Sequence, residues 1–267
     1  MTRREHASTE REQVKRPQDH VVDIDTADEL PHRVLINTSP KAGTYLLASI
    51  VEQLGFRHSY YHLQARKLQA YDRNDLDQGL KHPRRFDVPL ELSESRKLVR
   101  SGELAVGHLE HSREREHLFR NFRIILAQRE IRSALVSYAR MLGFAGKAGP
   151  ELTERIGNEG VSALIADRGA GLLRTIERMI PWRDCGNVLF VRFEDLHADP
   201  FNVTGAISEF LGVQVDDPSE TMRRARDKHT FTKSQRFPDL SWDDAAEELF
   251  ERLGGPELNR RLGYENE

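Results

Sequence analysis

The stretch RVLINTSPKAGTYLLASIVEQLG, residues 33–55, passes from an apolar run through a polar loop into a segment of helical periodicity. RVLIN reads as a short buried strand, and Leu46, Leu47, Ile50, Val51 and Leu54 fall on one face of a helix. Gly55 stands where a helix C-terminal glycine belongs. Between the two elements, Ser39, Pro40 and Lys41 leave the strand, and Gly43 and Thr44 enter the helix. Glycine lets a ligand approach the backbone closely, and the first N–H groups of a helix have no partner within it. With the helix dipole and the charge of Lys41 they make a site for a terminal phosphate or sulfate. Lys41 precedes Gly43, so the order is not the GxxxxGK[ST] of ATP- and GTP-binding loops. The same pattern also fits an ordinary strand–turn–helix with an exposed lysine, so a second site is needed.

Working outward, strand-like runs alternate with helical patterns. ELAVGH (103–108), FRIILAQR (122–129) and NVLFVRFEDL (187–196) are further strand candidates. Helices are expected in EIRSALVSYARML (130–142), twice between about 150 and 180 with Gly169 and Gly171 dividing them, and in FNVTGAISEFLG (201–212), closed by Gly212. SWDD (241–244) has the form of a capping box before AAEELFERLGG, and a last helix ends at Gly263. The alternation predicts a three-layer α/β/α architecture with a central parallel sheet, whose ligands bind at the carboxyl ends of the strands.

The chain has 267 residues, 38% hydrophobic and 31% charged, with a formal net charge of −3. That balance argues against a non-specific nucleic-acid binder, so any basic function is a local pocket. Residues 1–30 mix charges of both signs with little to bury and read as a mobile extension to a domain spanning 31–267. Cys185 is the only cysteine, which rules out an intrachain disulfide or a cysteine-rich zinc site. No integral membrane segment or signal-peptide core is evident, so a cytoplasmic protein is expected. Oligomeric state is not legible.

A second anion site lies in ILAQREIRSALVSYARM (125–141), with Arg129 at the strand end and Ser137 eight residues later in the next helix. A guanidinium offers a forked permanent charge, and a hydroxyl can donate to another oxygen of the same phosphate. A strand-end arginine alone is more often a surface ion pair. Two anion sites on different strand ends point to one ligand with two separated anionic groups.

At these residues the chain resembles the sulfotransferase family that uses 3′-phosphoadenosine 5′-phosphosulfate (PAPS). SPKAGTYLL resembles that family's 5′-phosphosulfate loop, commonly PKSGTTW, and REIRSALVSYARM is similar to its 3′-phosphate segment, with arginine and serine eight apart. NVLFVRFEDLHADP resembles the later strand ending YEDL, DKHTFTKSQ the adenine-side TSF segment, and PELNRRLGYE the common C-terminus. The resemblance implies a P-loop-like sulfotransferase fold in which Lys41, Ala42, Gly43, Thr44, Tyr45, Arg129, Ser137, Thr230 and Phe231 bind PAPS, with 3′-phosphoadenosine 5′-phosphate (PAP) as product. It differs at Ala42, where the family has serine, and at Tyr45–Leu46, where it has Thr–Trp. The family's RKGxxGDW closing segment is not recognisable; Lys233 and Arg236 could supply its charge.

VGH (106–108) resembles the KTH segment that carries a catalytic histidine, which makes His108 the expected base and Lys41 its catalytic partner. A neutral imidazole can take an acceptor's hydroxyl proton near neutral pH. With 11 histidines in the chain, His111 and also Glu110 remain alternatives. Nothing in this chemistry requires a metal, because Lys41, backbone N–H groups and the helix terminus can meet the transferred charge. The expected activity is transfer of a sulfonate group to a hydroxyl or amine of a small-molecule, lipid or carbohydrate acceptor. Residues 56–100, with Tyr60, Tyr61 and Tyr71, are expected to form much of the acceptor pocket or lid. The alternatives are a non-catalytic PAP- or glycan-binding protein of the same fold and a nucleotide-dependent phosphotransferase.

Overall fold

The computed structural model describes residues 30–70, 87–145, 149–228 and 240–264. Tyr71, Thr230, Phe231, Lys233 and Arg236 lie outside the described residues.

Seven strands form one sheet: β1 (Arg33–Thr38), β2 (Arg57–Leu63), β3 (Lys67–Ala70), β4 (Asp87–Pro89), β5 (Glu103–Gly107), β6 (Phe122–Gln128) and β7 (Val188–Arg192), in the order β4-β3-β2-β5-β1-β6-β7. The pairings β2–β5, β5–β1, β1–β6 and β6–β7 are parallel, so the expected parallel core is present. An antiparallel margin of β3 and β4 extends it. All three extra strands fall in residues 56–100, the stretch expected to supply a pocket or lid; among the described residues, the end of β2 and the turn after it reach the site.

Alternate residues of the central strands feed opposite faces, as the period of two requires. Val34, Ile36, Leu104, Val106, Ile125 and Ala127 enter one apolar cluster, with helix α1 (Thr44–Gln53) packed over it. Leu35, Ala105, Ile124 and Leu126 enter the other, capped by Phe119, Met179 and Trp182. Burial on both faces explains why these strands read as nearly continuous apolar runs.

After β6 the chain forms a long helix, Ile131–Ala145, and then the helix Pro150–Glu159. The break after it is at Gly160 (φ 74°, ψ −150°), not at Gly169 and Gly171. From Val161 the chain stays helical through a π-turn at Ile165–Gly169 into Ala170–Met179, with Gly169 at an ordinary helical φ of −54°. Gly169 serves packing instead: a Cβ there would lie 2.9 Å from Ile165 Cγ2 and from Leu253 Cδ1. The helix Pro200–Leu211 ends at left-handed Gly212 as expected. The helix Asp244–Arg252 is capped by Asp243, whose carboxylate accepts the Ala246 N–H at 2.8 Å; Ser241 is not the cap.

Candidate active site

The carboxyl ends of the five parallel strands present one row of side chains. Across the sheet come His62 at the end of β2, His108 after β5, the Lys41 loop after β1, Arg129 after β6 and Phe193 after β7. The row straddles β1, from which the chain turns first to one side and later to the other, where ligands of such sheets bind.

The loop after β1 is curled tightly. Ser39 N–H donates to Ala127 O at 2.8 Å and Ala42 N–H to Ser39 O at 3.2 Å. Lys41 and Gly43 both take positive φ, 69° and 82°. Left-handed residues interspersed in this way bend the backbone as in anion-binding nests. Lys41 is a non-glycine residue in that region, a strain that clusters at functional sites. Gly43 is the N-cap of α1 without any side-chain cap, so the first-turn N–H groups point to the loop's open side. A Cβ on Gly43 would lie 2.9 Å from Phe193 Cδ2, so both conformation and space require glycine. Ala42 is fully buried in the apolar cluster and contributes shape rather than a side-chain contact. Thr44 hydrogen-bonds through its hydroxyl to that of Thr38 at 2.6 Å, and Tyr45 is half-buried in the first turn.

His108 is held in one tautomer. Its Nδ1 lies 2.6 Å from Thr38 O, which can only accept, so Nδ1 carries the proton and Nε2 of the neutral ring keeps a lone pair. The turn beneath it is clamped by Asn37, whose amide donates to Leu109 O at 3.0 Å and accepts Leu109 N–H at 2.7 Å. Trp182 Nε1–H donates to the same carbonyl at 2.9 Å. Burial, opposed by the bond to Thr38 and aided by the nearby charge of Lys41, pushes the imidazole below its usual pKa. It is therefore neutral near pH 7.

The rival bases are engaged with other side chains. The Glu110 carboxylate faces Arg178 Nη1 at 3.3 Å and the Thr175 hydroxyl at 3.4 Å. His111 Nε2 faces Glu116 at 3.4 Å and Cys185 Sγ at 3.8 Å, with its ring edge-on to Trp182. His111, Glu116 and Cys185 thus make a separate hydrogen-bonded cluster.

Arg129 joins the two segments expected to bind anions. Its Nη1 donates to Lys41 O at 3.3 Å, and its guanidinium lies over the Phe193 ring at 4.2 Å. Burial pushes its pKa down, opposed by Glu194 and Glu130. Its Nε is buried without a hydrogen-bond partner among the described residues. Ser137 is half-buried in the helix that follows, and Arg140, three residues on along the same face, is close enough for its charge to act on Arg129. Arg140 Nε is likewise buried and unpartnered among the described residues. Two orphaned guanidinium N–H groups suit a polyanionic ligand oxygen.

Sequence reasoning missed His62, Asn37, Thr38, Arg140 and Phe193 as parts of this site. His62 arrives through a β-bulge: the pairing of β2 with β5 shifts between His58 and His62, and Tyr60 takes φ 60°. Bulges re-aim side chains beside sites. The His62 ring meets that of His108 edge-on at 4.9 Å. Phe193 sits inside the quoted FEDL segment, but its role depends on contacts with Gly43 and Arg129 from distant parts of the chain.

Comparison with known proteins gives a family. The model of the sulfotransferase domain matches residues 31–252. No curated protein matches the chain. Among solved structures, mouse sulfotransferase SULT7A1 complexed with PAP aligns at 16% identity over 90% of this chain and 92% of that one, with a TM-score of 0.49. A sulfotransferase from Alicyclobacillus acidocaldarius aligns at 14% identity over 88% and 97%, also at 0.49. The sulfotransferase domain of the Synechococcus PCC 7002 olefin synthase aligns at 15% over 89% and 96%, at 0.43.

Proposed function

Since the chain belongs to the sulfotransferase domain family, matched over residues 31–252, we propose that it transfers a sulfonate group from PAPS to a hydroxyl or amine of a small-molecule, lipid or carbohydrate acceptor. The observation that carries this reading is the row of Lys41, His108 and Arg129 on three adjacent parallel strand ends. The order along the row matches a bisanionic nucleotide lying across the sheet with its reactive end toward His108. The proposed catalytic unit is residues 31–267, with 1–30 as an extension, working in the cytoplasm.

PAPS supplies an activated sulfonate. Lys41 and the first-turn N–H groups of Thr44 and Tyr45 hold the 5′-phosphosulfate in the loop shaped by Ala42 and Gly43. Arg129, Ser137 and Arg140 hold the 3′-phosphate, using the two guanidinium Nε–H groups that lack partners among the described residues. Thr230 and Phe231 are assigned to the adenine side by resemblance.

The acceptor's O–H proton passes to His108 Nε2 as its oxygen bonds to sulfur. The bond from sulfur to the bridging oxygen of the 5′-phosphate breaks, and PAP leaves. Charge developing on that oxygen is met by Lys41 and the helix terminus, groups already in place before reaction. Thr38 holds the ring so that Nε2 is the free nitrogen, and the lowered pKa keeps it unprotonated.

The test is ligand choice. PAP should raise the melting temperature well beyond ATP with magnesium at equal concentration, because only PAP fills both anion sites. Greater stabilisation by ATP with magnesium would overturn the sulfotransfer reading.

A further inference from the structure

Beside His108 lies a cavity of about 440 Å³, within the range of small-molecule sites. It is lined on the β2 side by His62 and Gln64, on the β5 side by His108 and Glu110, and across from them by Arg115 and Thr175. Ala65 and Leu109 are the apolar residues among the described lining, and carbon atoms of the longer side chains make its surface about as apolar as polar, as the two faces of a sugar ring require. The described residues outline a second cavity of about 270 Å³ against Arg100 and Glu103, at the entry to β5. It opens at the other end of the sheet from the strand-end row, so it cannot serve His108.

We infer that the cavity at His108 takes a polyhydroxylated acceptor of saccharide type. This rests on the sulfotransfer reading and narrows its acceptor class.

The lining alternates hydrogen-bond roles over a short distance. Glu110 accepts, Arg115 donates, and Gln64, Thr175 and His62 can each do both. The contacts of the Glu110 carboxylate, 3.3 Å to Arg178 and 3.4 Å to Thr175, are long for their type, so it keeps capacity for ligand hydroxyls. Arg115 spends one N–H on Glu110 O at 2.8 Å, and its guanidinium has further donors. Adjacent hydroxyls of a sugar ring can each donate and accept, which is the pattern such a lining satisfies.

An apolar acceptor would match only the apolar part of this lining. A phenol or steroid filling this volume strips water from several polar groups and returns one hydroxyl at most. Sites built to hydrogen-bond a ligand discriminate strongly against analogues that leave their groups unpaired. The hydroxyl nearest His108 Nε2 would be the one sulfonated.

The experiment uses the full chain with radiolabelled PAPS. Transfer to methyl glycosides and to oligosaccharides of increasing length is compared with transfer to 2-naphthol and to a steroid alcohol. At least one saccharide should exceed 2-naphthol in kcat/KM by about 100-fold. Chain-length dependence separates a free sugar from the end of a glycan. Gln64→Leu and Thr175→Val should raise KM for that saccharide about tenfold with little change in kcat, since they remove binding common to ground and transition states. PAP-induced stabilisation should persist in both variants. A preference for 2-naphthol or the steroid, or no transfer to any saccharide, overturns the inference while PAP stabilisation leaves the sulfotransfer reading standing. No stabilisation by PAP overturns both.

Discussion

Replacing Gly43 by alanine tests how the loop, Phe193 and Arg129 depend on each other. Gly43 sits at φ 82°, where a side chain costs about 1–2 kcal/mol. The new Cβ would also fall 2.9 Å from Phe193 Cδ2 and 3.1 Å from Cε2. The Phe193 ring cannot retreat freely, because it lies under Arg129 at 4.2 Å and against His197 at 5.0 Å. Overpacking of this kind costs a further ~1–3 kcal/mol. Gly212 supplies the comparison: its φ is 68°, and a Cβ there meets nothing within 4 Å. Gly212→Ala should therefore show the backbone cost alone, and Gly43→Ala should exceed it by ~1–3 kcal/mol, or roughly 2–12 °C in melting temperature for a chain of this size. Thermal and urea unfolding of the two variants measure the difference. Because Phe193 supports Arg129, Gly43→Ala should also weaken PAP binding about tenfold or more, measured by calorimetry on the folded variant. Equal destabilisation by the two substitutions would refute the packing argument.

Two further outcomes follow from the site. Arg129→Ala should weaken PAP binding by about 2–5 kcal/mol, with a much smaller loss for adenosine 5′-phosphosulfate, which lacks the 3′-phosphate. Equal losses in calorimetry would mean that Arg129 serves the fold. The rate should fall on acidification as His108 protonates, at a pH below the usual imidazole range, because burial and then Lys41 depress its pKa. Removing the Lys41 charge in Lys41→Met relieves part of that depression, so the acid limb of the kcat/KM profile should move to higher pH while overall turnover falls. An unmoved limb, or one shifted to lower pH, would separate Lys41 from His108.

The parallel core was legible because β1, β5 and β6 are buried on both faces and so are written as apolar runs. β2 was not, because RHSYYHL carries polar residues in nearly every position and the bulge at Tyr60 breaks its alternation. β3 and β4, four and three residues long, are too short for a pattern to emerge. Gly169 misled because its constraint is packing against Ile165 and Leu253, whereas Gly160 carries the backbone break. Lys41, Gly43 and Arg129, singled out by charge, glycine and strand-end position, and His108, singled out by the resemblance of VGH and its strand end, come together in one row. Asn37 and Thr38 were not legible: they look like ordinary strand residues, and their work is to bond to the chain about seventy residues later. Tyr264 was seen only as part of a C-terminal resemblance, yet its hydroxyl lies 2.6 Å from Glu194 and 3.1 Å from Gln128 O, tying the chain's end to the strand ends beside Arg129.

The most direct measurement of the central claim is sulfonate transfer by His108→Ala, with PAP affinity measured on the same preparation. His108 is proposed to meet only the acceptor's proton, and its Nε2 is the nitrogen left open by the bond from Nδ1 to Thr38 O. The account predicts nearly unchanged PAP affinity and transfer from radiolabelled PAPS reduced roughly 100-fold or more, the scale of losing a general base. His111→Ala, whose side chain is engaged with Glu116 and Cys185, should transfer at close to the wild-type rate. Near-normal transfer by His108→Ala, or its loss in His111→Ala alone, would contradict the assignment.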